Sequence, residues 1–471
     1  MQDETQDLVA RYGGAVERTA AGVRVNDPAK LQSPVTDQLV RDAVFAEGSR
    51  REAARWLLWE LGQATGARPA SINALYLARG RGECAGFTVP AINVRMIAYD
   101  TARAVFRAAR KGNAGAIVLE IARSEIAYTD QRPAEYVSVM IGAALREGHT
   151  LPLFIQGDHC QVNAKKFAAD PDGEVGEVKL LIAEEVGAGF YNIDVDTSTL
   201  VVLERPTLAE QQRDNYERAA EVTQFIRERE PEGVTVSVGA EIGEVGFKNS
   251  TVEELDAFMA GFAAACSAAG VAEGISKISV QTGTSHGGVV LPDGSIAAVK
   301  LDLAALEALS RRAREGYGLA GAVQHGASTL PAEAFSHFPR VETAEIHLAT
   351  NFQNIVMDHA ALPAALRERV AAWVGENCAG ERKESDTEEQ FQYKSRKKAI
   401  GPFKREFWDL PAAAREAIGG DLERTFAFLF EQLNVNGTAD LVRRFVHAPV
   451  QHHAALRPVH AAAEDDPDAG E

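Results

Sequence analysis

Between Gly86 and Leu348, short apolar runs alternate with longer stretches whose apolar residues recur at helical spacing. That alternation constrains the fold of this chain more than any other feature. The runs are Phe87–Val94, Ala116–Ile121, Leu151–Gln156, Phe190–Val195, Val234–Ala240, Lys277–Gln281, Leu319–Gln324 and Glu342–Leu348. Between them lie the helical patterns Thr101–Ala109, Glu135–Arg146, Glu174–Glu185, Glu210–Arg227, Val252–Ala269 and Leu303–Glu315; the last connection is short and its pattern is the weakest. Eight strands with helical connections are what a (β/α)8 TIM barrel requires. An open doubly wound sheet would carry a glycine fingerprint after its first strand, and Asn93-Val-Arg-Met96 is not one.

The flanks read differently. Gln38–Phe45 and Arg51–Glu60 have helical apolar spacing, and Arg79-Gly-Arg-Gly82 punctuates the end of that region. The expected organisation is an N-terminal helical extension over 1–83, the barrel over 84–365, a C-terminal loop and helical extension over 366–448, and a disordered tail over 449–471.

A net charge of -18, with no long run of Lys and Arg, speaks against nucleic-acid binding. No apolar stretch approaches the roughly 18 residues that a membrane span needs. The four cysteines are far apart and form no CxxC pair, so neither a disulfide framework nor a thiolate zinc site is suggested. The N-terminus is polar and acidic, and the expected compartment is the cytoplasm.

Three histidines close strand runs: His159 after Leu151–Asp158, His286 after Ile275–Ser285, and His325 after Leu319–Gln324. Imidazoles at the ends of separate barrel strands can converge on one ion, and three protein ligands with an open position are the pattern of a catalytic zinc site. Neighbouring side chains on a strand point to opposite sides, so Asp158 is expected to face substrate as a proton-transfer group while His159 faces metal. Glu241 follows the Val234–Ala240 run as a carboxylate that could bind metal in an alternative position or orient a ligand histidine, with Glu244 as its competitor. Gly287-Gly288, Gly326-Ala-Ser328 and His347-Leu-Ala-Thr350 offer the small residues, backbone N–H groups and hydroxyls that a phosphate needs.

These segments together resemble the class II, metal-dependent aldolases of ketose bisphosphates. The resemblance is carried by Pro90-Ala-Ile-Asn-Val94, Gly157-Asp-His-Cys160, Gly239-Ala-Glu-Ile-Gly243, Gly283-Thr-Ser-His-Gly287, Gln324-His-Gly-Ala-Ser328 and Leu348-Ala-Thr-Asn351. It runs from about 86 to 436, including the C-terminal helical segment Phe407–Val435. It implies zinc, or another divalent metal, at His159, His286 and His325, with Glu241 as a neighbouring carboxylate and Asp158 as the base. It implies that Asn93, Gly287, Gly326, Ser328, His347 and Thr350 bind the sugar phosphate. It further implies a monovalent cation, a homodimer or higher homo-oligomer, and cleavage of a ketose bisphosphate such as fructose 1,6-bisphosphate to dihydroxyacetone phosphate and an aldehyde through a zinc-stabilised enediolate.

Two departures keep alternatives open. His347 stands where the family often has Asn, and Leu119-Glu-Ile-Ala-Arg-Ser124 lacks the family's Ser-Gly phosphate segment. The alternatives are an aldolase for another ketose phosphate such as tagatose 1,6-bisphosphate, a noncatalytic aldolase-like partner subunit, and a metallohydrolase. The last ranks lowest because the sequence displays no carboxylate cluster for a second metal. Lys404 and Arg405 are the candidates for a distal phosphate.

Overall fold

The computed structural model describes residues 2–243, 248–283, 291 and 301–453. Eight parallel strands close on themselves: β1 Val89–Asn93, β2 Val118–Ala122, β3 Leu153–Gln161, β4 Asn192–Asp196, β5 Ser237–Glu241, β6 Lys277–Val280, β7 Ala322–Gln324 and β8 Glu345–Leu348. Each pairs with the next in sequence, and β8 pairs with β1 through Glu345↔Val89 to Leu348↔Ile92. The expected TIM barrel is therefore present, with helices on the connections. Strand β3 runs five residues past the expected Gln156, through the Asp-His pair to Gln161.

The weak final connection has a structural counterpart. No α-helix lies between β7 and β8; two 3-10 turns, Ala327–Thr329 and Ala332–His337, take its place. The C-terminal helix Ala412–Gln432 covers the gap, with Phe428 edge-on to Phe335 at 6.5 Å and Phe426 against Phe352 at 4.7 Å.

The N-terminal region is mostly helical, with a short antiparallel hairpin, Val16–Arg18 with Val23–Val25, that the sequence pattern did not announce. Its last helix, Asn73–Gly80, plugs the barrel floor. Arg79 is fully buried and donates to the carbonyls of Ala320 (3.0 Å), Thr343 (3.1 Å) and Phe87, caps that the strand entrances would otherwise lack. Gly80 meets the backbone of Gly318 so closely that a Cβ would lie 1.9 Å from its carbonyl oxygen. Residues 449–453, the start of the expected tail, lie along helix Gly48–Thr65: His453 stacks on Trp59 at 4.0 Å, and the Trp59 and Trp56 indoles donate to Gln451 and His453 carbonyls. The remainder of that tail, 454–471, lies outside the described residues.

TIM-barrel interiors are ordinarily filled by branched apolar side chains. Here the lower layer is polar: Glu120, Gln156, Asp194, Lys277 and Glu345, all buried. The Lys277 ammonium donates to Asp194 Oδ2 (2.9 Å), Gln156 Oε1 (2.8 Å) and Glu345, and Tyr76 from the plug helix donates to the other Glu345 oxygen. Burial alone would raise the Glu345 carboxyl, but Lys277 outweighs it and holds it at about 2. Replacing Lys277 with Met strands two buried carboxylates, and the expected loss is roughly 3–5 kcal/mol in urea unfolding. Wild-type stability in Lys277→Met would show that this ion pair is not a support of the barrel.

Candidate active site

The Asp-His pair is placed by an irregularity in β3. Gly157 pairs with Ile193 and Cys160 with Val195, so three steps on β3 face two on β4. This β-bulge puts His159 in the left-handed region, at φ 42°, a conformation that histidine adopts more readily than most residues. The expectation that Asp158 and His159 face opposite sides is therefore corrected: the extra residue turns both inward. Asp158 accepts from Asn93 Nδ2 at 2.8 Å and lies 3.1 Å from His347 Nδ1. The His159 Nδ1 lies 3.0 Å from Asp196 Oδ2 and 3.8 Å from Glu241 Oε2, and its ring is 4.2 Å from that of His325.

His159, Glu241 and His325 each bring a ligand atom within 4.8 Å of the other two, and all three are buried. His325 stacks on His347 at 4.0 Å and shares a hydrogen bond with Ser279 at 3.0 Å. His286, Gly287 and the competing Glu244 lie outside the described residues. Gly326 (φ 67°) opens the 3-10 turn after β7, and Ser328 Oγ accepts from Ala349 N at 2.6 Å, joining that turn to the end of β8 just before Thr350. His347 stands on β8 with its ring buried. It reaches from Asp158 down to Glu345, which is 2.8 Å from its Nε2.

Asp196 was not singled out from the sequence, though Asp194-Val195-Asp196 carries the signal: alternate residues of a strand share a face. Asp196 is fixed by Ser198 Oγ (2.7 Å) and Gln161 Nε2 (2.6 Å), which leaves it poised to orient the His159 ring.

A second group missed in the sequence gathers at the mouth. Arg95, just past β1, bonds Glu125 at 2.5 Å and Gln353 at 3.3 Å. Lys397, from the C-terminal extension, sits 5.7 Å from the Tyr128 ring centre. The Tyr128 hydroxyl is buried and has no hydrogen-bond partner among the described residues. Burial and then Arg95 pull the Lys397 ammonium down to about 7. By contrast, Lys404 is tied to Glu135 (2.6 Å), and Arg405 covers the Phe45 ring at 4.5 Å, so neither joins the mouth.

The electrostatics favour a cation. Glu120, Asp158, Asp194, Asp196, Glu241 and Glu345 are all buried, and Lys277 is the permanent cation among them. Burial would raise the Asp158 carboxyl, but His159 and His347 hold it well below the usual range. Burial lowers the His159 imidazole, yet Asp158, Asp196 and Glu241 push it up to about 10. Burial and Asp196 raise Glu241 well above its ordinary value. Protons are thus drawn into a site whose donors, two imidazoles and a carboxylate, suit a first-row divalent ion. The residues present fit such a metal.

No curated protein matches the sequence. Among solved structures, the fructuronate-tagaturonate epimerase UxaE from Cohnella laeviribosi is similar with a TM-score of 0.55 at 12% identity, over 92% of this chain and 100% of that one. A probable tagatose 6 phosphate kinase from Sinorhizobium meliloti 1021 is similar with a TM-score of 0.50 at 19% identity, covering 76% and 93%. The fructose-bisphosphate aldolase from Campylobacter jejuni is similar at 17% identity with a TM-score of 0.48, covering 80% and 98%. The family model of class II fructose-bisphosphate aldolases matches residues 81–405, which spans the barrel, the bulged Asp-His pair and the mouth, and the chain belongs to that family.

Proposed function

We propose that this protein is a zinc-dependent aldolase that cleaves a ketose bisphosphate, with fructose 1,6-bisphosphate as the first substrate to test. The observation that carries the reading is the β3 bulge, which sets Asp158 beside His159, Glu241 and His325 in one buried pocket. A divalent ion held by His159, His325 and Glu241, with His286 as the expected further ligand, would polarise the substrate carbonyl. Asp158, kept ionised by its histidine neighbours, would take the C4 hydroxyl proton in the cleavage direction, and Asn93 Nδ2 fixes its second oxygen. Gly326, Ser328 and Thr350, with Gly287, would hold the phosphate of the dihydroxyacetone half; Arg95, Tyr128 and Lys397 would hold the distal anion. A homo-oligomer, a monovalent cation and a cytoplasmic setting belong to the same reading. Among the described residues no helix is long and apolar enough to cross a membrane.

A second reading is epimerisation of a keto-sugar acid. It draws on the shared fold with the Cohnella epimerase, which extends over the N-terminal region, and on His347, a second proton-bearing group 3.1 Å from Asp158. The mouth cations would then meet a carboxylate instead of a phosphate.

Release of dihydroxyacetone phosphate from fructose 1,6-bisphosphate, abolished by EDTA and restored by zinc, is the expected result. Conversion of fructuronate to tagaturonate in a parallel NMR assay, without bisphosphate cleavage, would replace it with the second reading. Metal-loaded protein inert to both would favour a noncatalytic partner subunit. The Asp158→Asn variant should lose roughly a hundred- to ten-thousand-fold in kcat; an unchanged kcat would remove Asp158 from the chemistry.

A pH dependence follows from Lys397. The protonated form binds the anion, and the free protein holds that form only below about pH 7. KM for an anionic substrate should therefore rise above pH 7, by up to about tenfold per unit. Lys397→Met should raise KM at pH 6.5 and flatten the profile. An identical profile in the variant would exclude Lys397 from substrate binding.

A further inference from the structure

We propose that Glu120, Asp158, Asp194 and His347 hold a second divalent cation beside the one assigned to His159, Glu241 and His325, an inference that rests on the metal-dependent reading above. The four residues come from β2, β3, β4 and β8, and one ligand atom of each lies within 4.8 Å of all the others. All are at least nine-tenths buried. His347 Nδ1, the nitrogen that would face the ion, is 3.1 Å from Glu120 Oε1 and 3.1 Å from Asp158 Oδ1, while Asp194 Oδ2 lies 3.5 Å from the other ring nitrogen, which would not bind the same ion. Neighbouring ligands of an octahedral ion with bonds of about 2.1 Å stand about 3 Å apart.

Two further observations point to a cation. Asn93 is 2% exposed, and its Nδ2 bonds Asp158 Oδ2 at 2.8 Å, yet its carboxamide oxygen has no hydrogen-bond partner among the described residues. The carboxamide is thus fixed beside Asp158 with its own oxygen left without a donor. The counter-charge of Glu120 and Asp158 comes from imidazoles: both lie 3.1 Å from His347 Nδ1, Asp158 is also 4.0 Å from His159, and among the described residues no Lys or Arg forms an ion pair with either. Buried carboxylates gathered around imidazoles can exchange the imidazole protons for a divalent ion, since metal binding at such ligands releases protons. An oxygen-rich set with one imidazole suits Mn2+ or Zn2+. Asp158 would bind through Oδ1, while Oδ2, which accepts one hydrogen bond from Asn93 Nδ2, keeps its other lone pair for proton transfer. The two ligand sets share no residue, so each ion can be removed separately.

The test is metal stoichiometry of the full chain, stripped of metal, reloaded with Mn2+ or Zn2+, desalted and measured by elemental mass spectrometry. The expected result is two ions per chain, falling to one in Glu120→Gln and to one in His159→Ala. One ion in the wild type, kept in Glu120→Gln and lost in His159→Ala, overturns the second site and leaves the first. One ion lost in Glu120→Gln but kept in His159→Ala overturns the His159 assignment and with it the pairing. Should Glu120→Gln fail to fold, electron paramagnetic resonance of the wild type with two equivalents of Mn2+ decides: a spin-coupled pair supports the proposal, and an isolated-ion spectrum overturns it.

Discussion

The Lys277 ammonium, buried between the carboxylates of Asp194 and Glu345, is the interaction on which the rest of the barrel interior depends. A charge on that scale inside a sheet is tolerable only when opposite charges and hydrogen bonds surround it. Gln156 and Tyr76 complete the set, so the plug helix of the N-terminal region becomes part of the same network. With Glu345 anchored from below, His347 is held upright against His325 and Asp158. The lower polar layer thus fixes the geometry of the upper one, where Asp158, His159 and His325 gather.

The bulge at Asp158–His159 is the second constraint. A regular strand would send one of the two side chains out of the barrel. One extra residue in β3, absorbed by a left-handed histidine, turns both inward and brings Asp196 and Glu241 within reach of the His159 ring. Local backbone irregularity therefore concentrates a carboxylate and an imidazole on adjacent inward positions, and bulges recur near active sites.

The mouth is built from distant segments. Arg95 follows β1, Tyr128 closes a helix after β2, and Lys397 arrives from the C-terminal extension, yet the three surround one region beside Asp158. The extension does two jobs at once: Ala412–Gln432 closes the gap left by the missing helix between β7 and β8, and the turn at Arg396–Ala399 sets Lys397 against the Tyr128 ring.

By itself the sequence determined the barrel, because eight apolar runs separated by amphipathic stretches can bury their surfaces in few other ways. It also determined His159, His325, Glu241 and Asp158 as candidates, because each ends a run, and barrel strands present their ends at one face. Only the tertiary structure decided which carboxylates share a pocket. Glu120 and Asp194 read individually as ordinary strand residues, and His347 as a candidate phosphate ligand; closure of the sheet brings the three together from different strands. The direction in which Asp158 points likewise depends on the register between β3 and β4, a relation between two segments that neither expresses alone.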